Sequence, residues 1–215
     1  MKHDSVRRLV LISMLAAVAY LLMVAVRIPV VLFLKYEPKD TVITIGGFLL
    51  GPMASLIISL VVSLVEMISV SDTGIIGCIM NFISTCSFAC VAALIYKKDR
   101  TLRGAVLGLL LGSVSMICVM LLWNWLITPL YLGGTREEVA SMLLPVFLPF
   151  NALKAGFNSA LVLALYKPLT VALRKARLLP QGSGQKSNPK PGIYLFAAAL
   201  LITCILFLLV MQGIL

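Results

Sequence analysis

The stretch TVITIGGFLLGPMASLIISLVVSLVEMISV, residues 41–70, decides the fold. It is apolar almost throughout and long enough for one generous membrane span, but the pair Gly51-Pro52 interrupts it. A glycine followed by a proline is a strong turn signal. The stretch therefore forms either one membrane-spanning helix or two helices joined at this pair, and the choice sets the topology of the whole chain.

The distribution of basic residues favours two helices. With two helices, the amino-terminal end, the 97–103 loop and the segment after residue 173 lie on one side of the membrane, which then holds most of the 18 basic residues. With one helix, the loop KKDRTLR at 97–103 would lie outside, against the tendency of basic loops to stay in the cytoplasm. We therefore predict a cytoplasmic amino terminus, and we predict that the first helix of this pair, the second of the chain, covers roughly residues 38–50. At 1.5 Å per residue this helix is only about 20 Å long, so neighbouring helices must shield it.

The composition indicates an integral membrane protein. Of the 215 residues, 61% are hydrophobic and 12% are charged, and the mean hydropathy is +1.08. Because each span needs about 20 apolar residues, this content suffices for about six or seven helices and leaves no room for a soluble ATPase or receptor domain. The net charge of +10 comes from short basic clusters between apolar runs, which is typical of membrane topology signals and argues against nucleic acid as a partner.

The other apolar runs complete an all-α integral membrane architecture. These runs occupy residues 9–26, 74–96, 104–128, 143–173 and 193–210. We predict a six-helix substrate-binding membrane domain at 1–177, a flexible cytoplasmic linker at 178–191 and one appended transmembrane helix at 192–215.

Metal, haem and redox chemistry are not expected. The single histidine, His3, lies in the polar amino-terminal segment, so no imidazole lies among the apolar runs. Cys86 and Cys90 are one helical turn apart in an apolar run, which favours a packing role over a redox pair. The sequence also lacks a Gly-x-x-x-x-Gly-Lys-Ser/Thr motif, so we expect no catalytic residues, and ATP-driven work would fall to partners.

Lys154 is the most informative polar residue, because a charged group within a membrane span indicates function. Asn151 precedes it by three residues and Asn158 follows it by four, so all three share one face of the sixth helix. Asn124, on the fifth helix, reaches the same outer level. We therefore predict that Asn124, Asn151 and Lys154 line a small-molecule pocket.

Structural roles compete with ligand binding for the other polar residues. An asparagine in a membrane helix often hydrogen-bonds a neighbouring helix, and we interpret Asn158 and Asn81 in this way. Glu66 is the only acidic residue deep in a predicted span. It pairs with Lys154 or with a ligand, or it is solvated near the outer end of the third helix.

Aromatic residues lie close to Asn124 in the sequence, on both sides of it. We expect Trp123, Trp125, Tyr131 and the 131–142 loop to cover the pocket. The two tryptophans fit equally well in the aromatic belt that membrane proteins place at the lipid–water interface.

The first helix carries a patch of small residues, namely Ser13, Ala16, Ala17 and Ala19. The four-residue spacing of Ser13 and Ala17 lets another helix approach closely. That helix belongs either to a partner protein or to the core of this chain.

Five segments of the chain resemble the S components, the substrate-binding subunits, of energy-coupling factor (ECF) vitamin transporters, and among them the riboflavin-specific group. The segments are LVLISMLAAVAYLLM (9–23), LKYEPKDTVITIGGFLLGP (34–52), NFISTCSFACVAALIYKKDRT (81–101), WNWLITPLY (123–131) and LLPVFLPFNALKAGFNS (143–159). The element PFNxxK at 149–154 is the most specific, and the resemblance covers roughly residues 7–175.

This resemblance implies a subunit in the cell membrane that captures a vitamin from outside and associates with a transmembrane coupling subunit and two cytoplasmic ATPase subunits. It implies ligand contacts by Asn124, Asn151 and Lys154. It also implies that the patch around Ser13, Ala16 and Ala17 contacts the coupling subunit. Further candidates for pocket lining or a lid are Glu66, Tyr131, Tyr36, Asp40, Thr41 and Thr44.

We therefore expect a transporter subunit rather than an enzyme, with riboflavin as its transported ligand and no cofactor of its own. The alternatives are an S component for another vitamin or precursor, and a small membrane enzyme or assembly factor. The seventh helix departs from the six-helix pattern, and its side chains indicate no chemistry.

Overall fold

The computed structural model of the chain describes residues 2–32, 34–71, 73–132, 135–176 and 191–214, and at 2–4, 131, 132 and 191 it describes the backbone alone. The helices are α1 (Lys2–Ala25), α2 (Lys39–Leu50), α3 (Pro52–Ser69), α4 (Gly74–Lys98), α5 (Leu102–Leu132), α6 (Arg136–Met142), α7 (Leu148–Lys175) and α8 (Pro191–Met211). A π-helical turn, Leu143–Phe147, joins α6 to α7. Among the described residues, six helical stretches are long and apolar enough to cross a membrane, with α6, the turn and α7 forming one of them. The predicted all-α membrane fold is confirmed.

The stretch 41–70 forms two helices, as the charge distribution predicts. Gly51 ends α2 with φ of 95°, a left-handed conformation that favours glycine, and Pro52 occupies the first turn of α3. Ten of the twelve residues of α2 are buried, because α1, α3, α4 and α7 all contact this helix. A short helix that has little contact with lipid does not need to match the thickness of the hydrocarbon layer of the membrane.

A β-hairpin follows α1 and was not predicted. Strand β1 (Ile28–Val31) pairs antiparallel with β2 (Leu34–Tyr36), and a register shift lies between Pro29 and Val31. Strands of four and three residues are too short to give a readable alternation of polar and apolar positions. We call the end of the bundle that carries this hairpin the hairpin end.

The segment predicted as a loop at 131–142 is largely helical, which corrects that expectation. Helix α5 continues to Leu132, and α6 begins after Thr135. The Thr135 hydroxyl accepts a hydrogen bond from the Glu138 backbone N–H, while the Glu138 carboxylate accepts one from the Thr135 N–H. This reciprocal capping satisfies two backbone donors and starts the helix.

Helices α4 and α5 approach closely and form a firm wall of the bundle. A Cβ atom at Gly112 would lie 2.6 Å from the Phe88 carbonyl oxygen, so only glycine fits at this contact. The wall holds Ser84 and Asn124 at the hairpin end.

The predicted linker at 178–191 lies almost wholly outside the described residues, so the division of the chain into 1–177, 178–191 and 192–215 stays a prediction.

Candidate functional site

A cavity of about 150 Å³ lies at the hairpin end of the bundle. Every helix from α3 to α5, the start of α7 and the residues around the hairpin contribute to its walls. The lining residues are Arg27, Leu34, Lys35, Glu37, Glu66, Val70, Ser71, Thr73, Met80, Asn81, Ser84, Met120, Asn124, Phe150, Asn151 and Lys154.

The three residues predicted to share a pocket, Asn124, Asn151 and Lys154, all line this cavity. The Asn124 side-chain N–H donates to the Met120 carbonyl at 2.8 Å, and the Asn151 side-chain N–H donates to the Phe147 carbonyl at 2.7 Å. A carboxamide has two N–H donors, and each of these bonds uses one. The two amides are therefore held in fixed orientations on their own helices and retain hydrogen-bonding capacity toward the cavity.

Lys154 forms an ion pair with Asp40 rather than with Glu66. Its Nζ lies 3.2 Å from Asp40 Oδ2 and donates to Ser84 Oγ at 3.3 Å. Asp40 is fully buried and also accepts hydrogen bonds from the Thr85 hydroxyl and the Asn158 amide. A buried charge is stable only when paired and hydrogen-bonded, so Asp40 accounts for the presence of Lys154 at this depth.

Asp40, Thr41 and Thr44 lie on α2 behind Lys154 and do not line the cavity, which corrects their assignment to the pocket wall. Thr44 donates to the Asp40 carbonyl, and Thr41 donates to Asn158 Oδ1. Asn158 thus links α2 to α7, and its interpretation as a helix-packing residue is confirmed.

Tyr36, at the end of β2, extends this buried network to the hairpin. Its hydroxyl donates to Asn158 Oδ1 at 3.2 Å. Burial and the nearby Asp40 carboxylate raise the pKa of Tyr36, so the phenol keeps the proton that it donates. The hairpin is therefore attached to α7 by a hydrogen bond that the protonated phenol donates.

Glu66 lines the opposite wall and is neither solvated nor paired with Lys154. It is 4% exposed, forms an ion pair with Lys39 and accepts a hydrogen bond from Asn81 at 2.8 Å. Glu37 also pairs with Lys39 at 2.9 Å and with Arg27 at 3.0 Å. Sequence reasoning missed Lys39 because its position just before an apolar run is equally typical of a solvated loop. The sequence does contain a signal for this burial. Lys39 and Asp40 begin a helix that is too short to reach the membrane surface, so their side chains stay inside the protein.

The buried charges around the cavity cancel. Lys39 is paired with Glu66, and Lys154 is paired with Asp40. Arg27 is paired with Glu37, Lys35 is exposed, and the other lining groups are amides, hydroxyls and apolar side chains such as Met80. Such a site suits an uncharged ligand that has both an apolar part and hydrogen-bonding edges, since a charged ligand would disturb pairs that are already satisfied.

The predicted aromatic cover is not observed for the two tryptophans. Trp125 is 42% exposed, and Trp123 packs against the apolar core; neither lines the cavity. The side chain of Tyr131 lies outside the described residues.

The small-residue patch of α1 is divided between two surfaces. Ser13 and Ala17 are exposed, whereas Ala16 and Ala19 are buried in the core formed with α2 and α3. Ala16 is therefore not available to a partner in this arrangement, which corrects its assignment. The exposed part of the patch consists of Ser13 and Ala17.

Fold and site together define a multi-helix membrane protein with a partly polar cavity at one end of its bundle. Residues 7–166 match the family described as ECF transporter, substrate-specific component. The chain belongs to this family. It is therefore a component of a membrane transporter and not an enzyme, as the sequence predicts.

Individual relatives agree with this membership. The riboflavin transporter RibU of Staphylococcus aureus (strain TCH60) is 28% identical over 179 aligned positions, and the match covers 79% of this chain and 93% of that protein. The riboflavin transporter FmnP of Bacillus subtilis (strain 168) is 29% identical over 161 aligned positions, and the match covers 69% of this chain and 84% of that protein. A solved structure of the S component of a bacterial ECF transporter superimposes with a TM-score of 0.67 at 27% identity and covers 79% of this chain and 99% of its own.

Proposed function

We propose that this chain is the substrate-capture subunit of an ATP-driven ECF importer and that it binds riboflavin in the hairpin-end cavity. The observation that carries the proposal is the convergence of Asn124, Asn151 and Lys154 on one cavity from two helices. Relatives that are named riboflavin transporters support the choice of vitamin.

The chemistry of the walls fits the flavin ring system. The pyrimidine edge of a flavin alternates carbonyl acceptors with an N–H donor, and a carboxamide serves both. The ammonium group of Lys154 has three donors, of which Asp40 and Ser84 use two and one remains for a ligand. Met120 and Phe150 provide apolar surface for the aromatic rings. Riboflavin is uncharged, so it enters without leaving a buried charge unpaired.

Ligand entry requires the cavity to widen. Its volume of about 150 Å³ is smaller than the roughly 300–1,000 Å³ of typical ligand sites. Leu34 and Lys35 of the hairpin and Ser71 after α3 belong to its walls. These segments connect spanning helices, so they are the parts of the wall that move with the smallest loss of packing.

The proposed orientation places the amino terminus in the cytoplasm and the hairpin end outside the cell. It keeps the basic 97–103 loop and the carboxyl end of α7 on the cytoplasmic side, as the positive-inside tendency requires. The cavity then faces the source of the vitamin.

The proposed partners are a transmembrane coupling subunit and two cytoplasmic ATPase subunits. Ser13 and Ala17 are exposed one helical turn apart on α1, where small side chains let another helix approach closely. We assign the contact with the coupling subunit to this pair.

Fluorescence titration of the purified protein tests the ligand. Riboflavin fluorescence should be quenched at protein concentrations of about 1 µM or below, which corresponds to a binding free energy of about 8 kcal/mol. A hundredfold excess of thiamine or biotin, which carry a charge that riboflavin lacks, should leave the quenching unchanged. A failure to quench at tens of micromolar protein, or displacement by either charged vitamin, would contradict the proposal.

A further inference from the structure

Helix α8 lies beyond residues 7–166, the part of the chain that matches the family. It packs along α7 and also contacts β1. The two helices approach closely at Gly156 of α7, where an added Cβ atom would lie 2.7 Å from Cys204 Sγ. The rest of α8 is largely exposed, so its association with the bundle depends on this one face.

The contacting face of α8 belongs to an apolar cluster shared with the hairpin and α7. Cys204 and Leu208 of α8 are 7% and 8% exposed within it. The members from the other elements are Val30, Tyr36, Phe150, Leu153 and Phe157. Helix α8 therefore packs against both the hairpin and α7.

A hydrogen bond reinforces this contact at the end of α8. The Gln212 side-chain Nε2 donates to the Pro29 carbonyl of β1 at 2.6 Å. Pro29 lies at the register shift of the hairpin, where β1 and β2 do not pair regularly. Gln212 thus binds a carbonyl at the least regular part of the hairpin.

The same cluster reaches the ligand cavity. Phe150 is a member of the cluster and lines the cavity, and Leu34 of β2 packs against the cluster and also lines the cavity. A displacement of the hairpin from α8 would therefore move a wall of the site.

We propose that α8 is a brace that holds the hairpin closed over the ligand cavity, with Leu208 and Gln212 as positioning residues. The inference rests on the proposed function, because it concerns exchange at that site. A brace on a closed hairpin slows ligand entry and ligand release together, since both require the hairpin to open. When the brace is weakened, the affinity for the ligand therefore changes less than the rate of entry or the rate of release.

The test uses the full chain with substitutions on the contacting face and a matched control on the lipid-facing side. Gln212→Glu keeps the size of the side chain but removes the N–H donor, and Leu208→Ala removes the apolar contact. Leu206→Ala, at a position 51% exposed, is the control. Gln212→Lys, which supplies an N–H donor again, tests rescue.

Two measurements are made on each variant: stopped-flow rates of riboflavin binding and release, and hydrogen exchange of the 27–37 segment in the ligand-free protein. Gln212→Glu and Leu208→Ala should accelerate both binding and release by about two- to tenfold, as expected for the loss of one contact. They should also accelerate exchange in the hairpin, whereas Leu206→Ala and Gln212→Lys should resemble the natural chain.

Unchanged rates and unchanged hairpin exchange in both variants, in a protein that binds riboflavin, would overturn the brace. An equal effect of Leu206→Ala would overturn it too, because the lipid-facing side of α8 would then matter as much. If the natural chain does not bind riboflavin, the proposed function fails, and hairpin exchange alone still decides whether α8 holds the hairpin.

Discussion

The two ends of the bundle are built by the same helices but stabilised in different ways. At the hairpin end, α2, α3 and α7 bury the pairs of Lys39 with Glu66 and of Lys154 with Asp40 beside a cavity. At the opposite end, α2, α4 and α7 close around Phe48, Tyr96 and Tyr166. Phe48 stacks on Tyr96 with ring centroids 4.3 Å apart, and the two tyrosine hydroxyls are 3.0 Å apart.

This difference indicates that the hairpin end is less strongly stabilised by its packing than the aromatic end. A well-packed apolar group is often as stabilising as a buried ion pair or more so, and the aromatic end has that kind of core. The ion pairs at the hairpin end are costly to desolvate, and they lie beside the cavity in which we propose that the ligand binds. If the comparison is sound, substitutions at the two ends separate ligand affinity from stability.

The largest expected effect is at the ion pair beneath the cavity. Lys154→Met leaves the Asp40 carboxylate buried without its cation, and we expect a loss of about 3–5 kcal/mol in the free energy of unfolding. Riboflavin binding should be lost as well. Unfolding in denaturant, followed by circular dichroism, measures the first effect, and fluorescence titration measures the second.

The double variant Asp40→Asn with Lys154→Met is the control for this experiment. It removes both charges, so stability should recover most of the loss while binding stays impaired. If the single variant Lys154→Met were as stable as the natural chain, Asp40 would not need Lys154 as its partner.

The next effect tests the aromatic end. Phe48→Ala removes the ring that stacks on Tyr96, and large-to-small changes of buried aromatic residues lower stability by about 3 kcal/mol or more. Because Phe48 lies at the end away from the cavity, riboflavin affinity measured at a temperature where the variant stays folded should be unchanged. An affinity loss as large as the stability loss would show that the two ends are coupled.

The contrast between the ends also explains what the sequence could predict. Depth in the membrane follows from the rise along a helix, so Asn124, Asn151 and Lys154 could be assigned to one layer. The break at Gly51-Pro52 followed from the distribution of basic loops. Both arguments use distance along the chain and need no knowledge of which helices are neighbours.

The predictions that failed depend on which helices are neighbours in the fold. The pairing of Lys154 with Asp40, and of Glu66 with Lys39, is set by the way α2 inserts among α3, α4 and α7. Helical periodicity gives the face on which a residue lies but not the helix that the face meets. The burial of Ala16 has the same cause, because its small side chain suits a partner protein and the core of this chain equally well.

A smaller effect distinguishes two asparagines on one face of α7. Asn151→Leu should weaken riboflavin binding by about 1–3 kcal/mol, because a ligand group loses its partner, and should leave the thermal transition nearly unchanged. Asn158→Leu should lower the thermal transition and leave riboflavin binding nearly unchanged. Asn158 forms hydrogen bonds with Asp40, Thr41 and Tyr36 and does not line the cavity. Equal losses of affinity in both variants would remove the distinction between a ligand contact and a packing residue.

The smallest effect concerns the hydrogen bond between the Tyr96 and Tyr166 hydroxyls. Tyr96→Phe and Tyr166→Phe should each lower the free energy of unfolding by about 0.5–1.5 kcal/mol. Because the two changes remove the same bond, the double variant should lose less than the sum of the single losses, whereas independent residues would give additive losses. Riboflavin affinity should stay unchanged in all three variants. Additive losses would mean that each hydroxyl stabilises the protein through a separate partner and that the bond between the two contributes nothing.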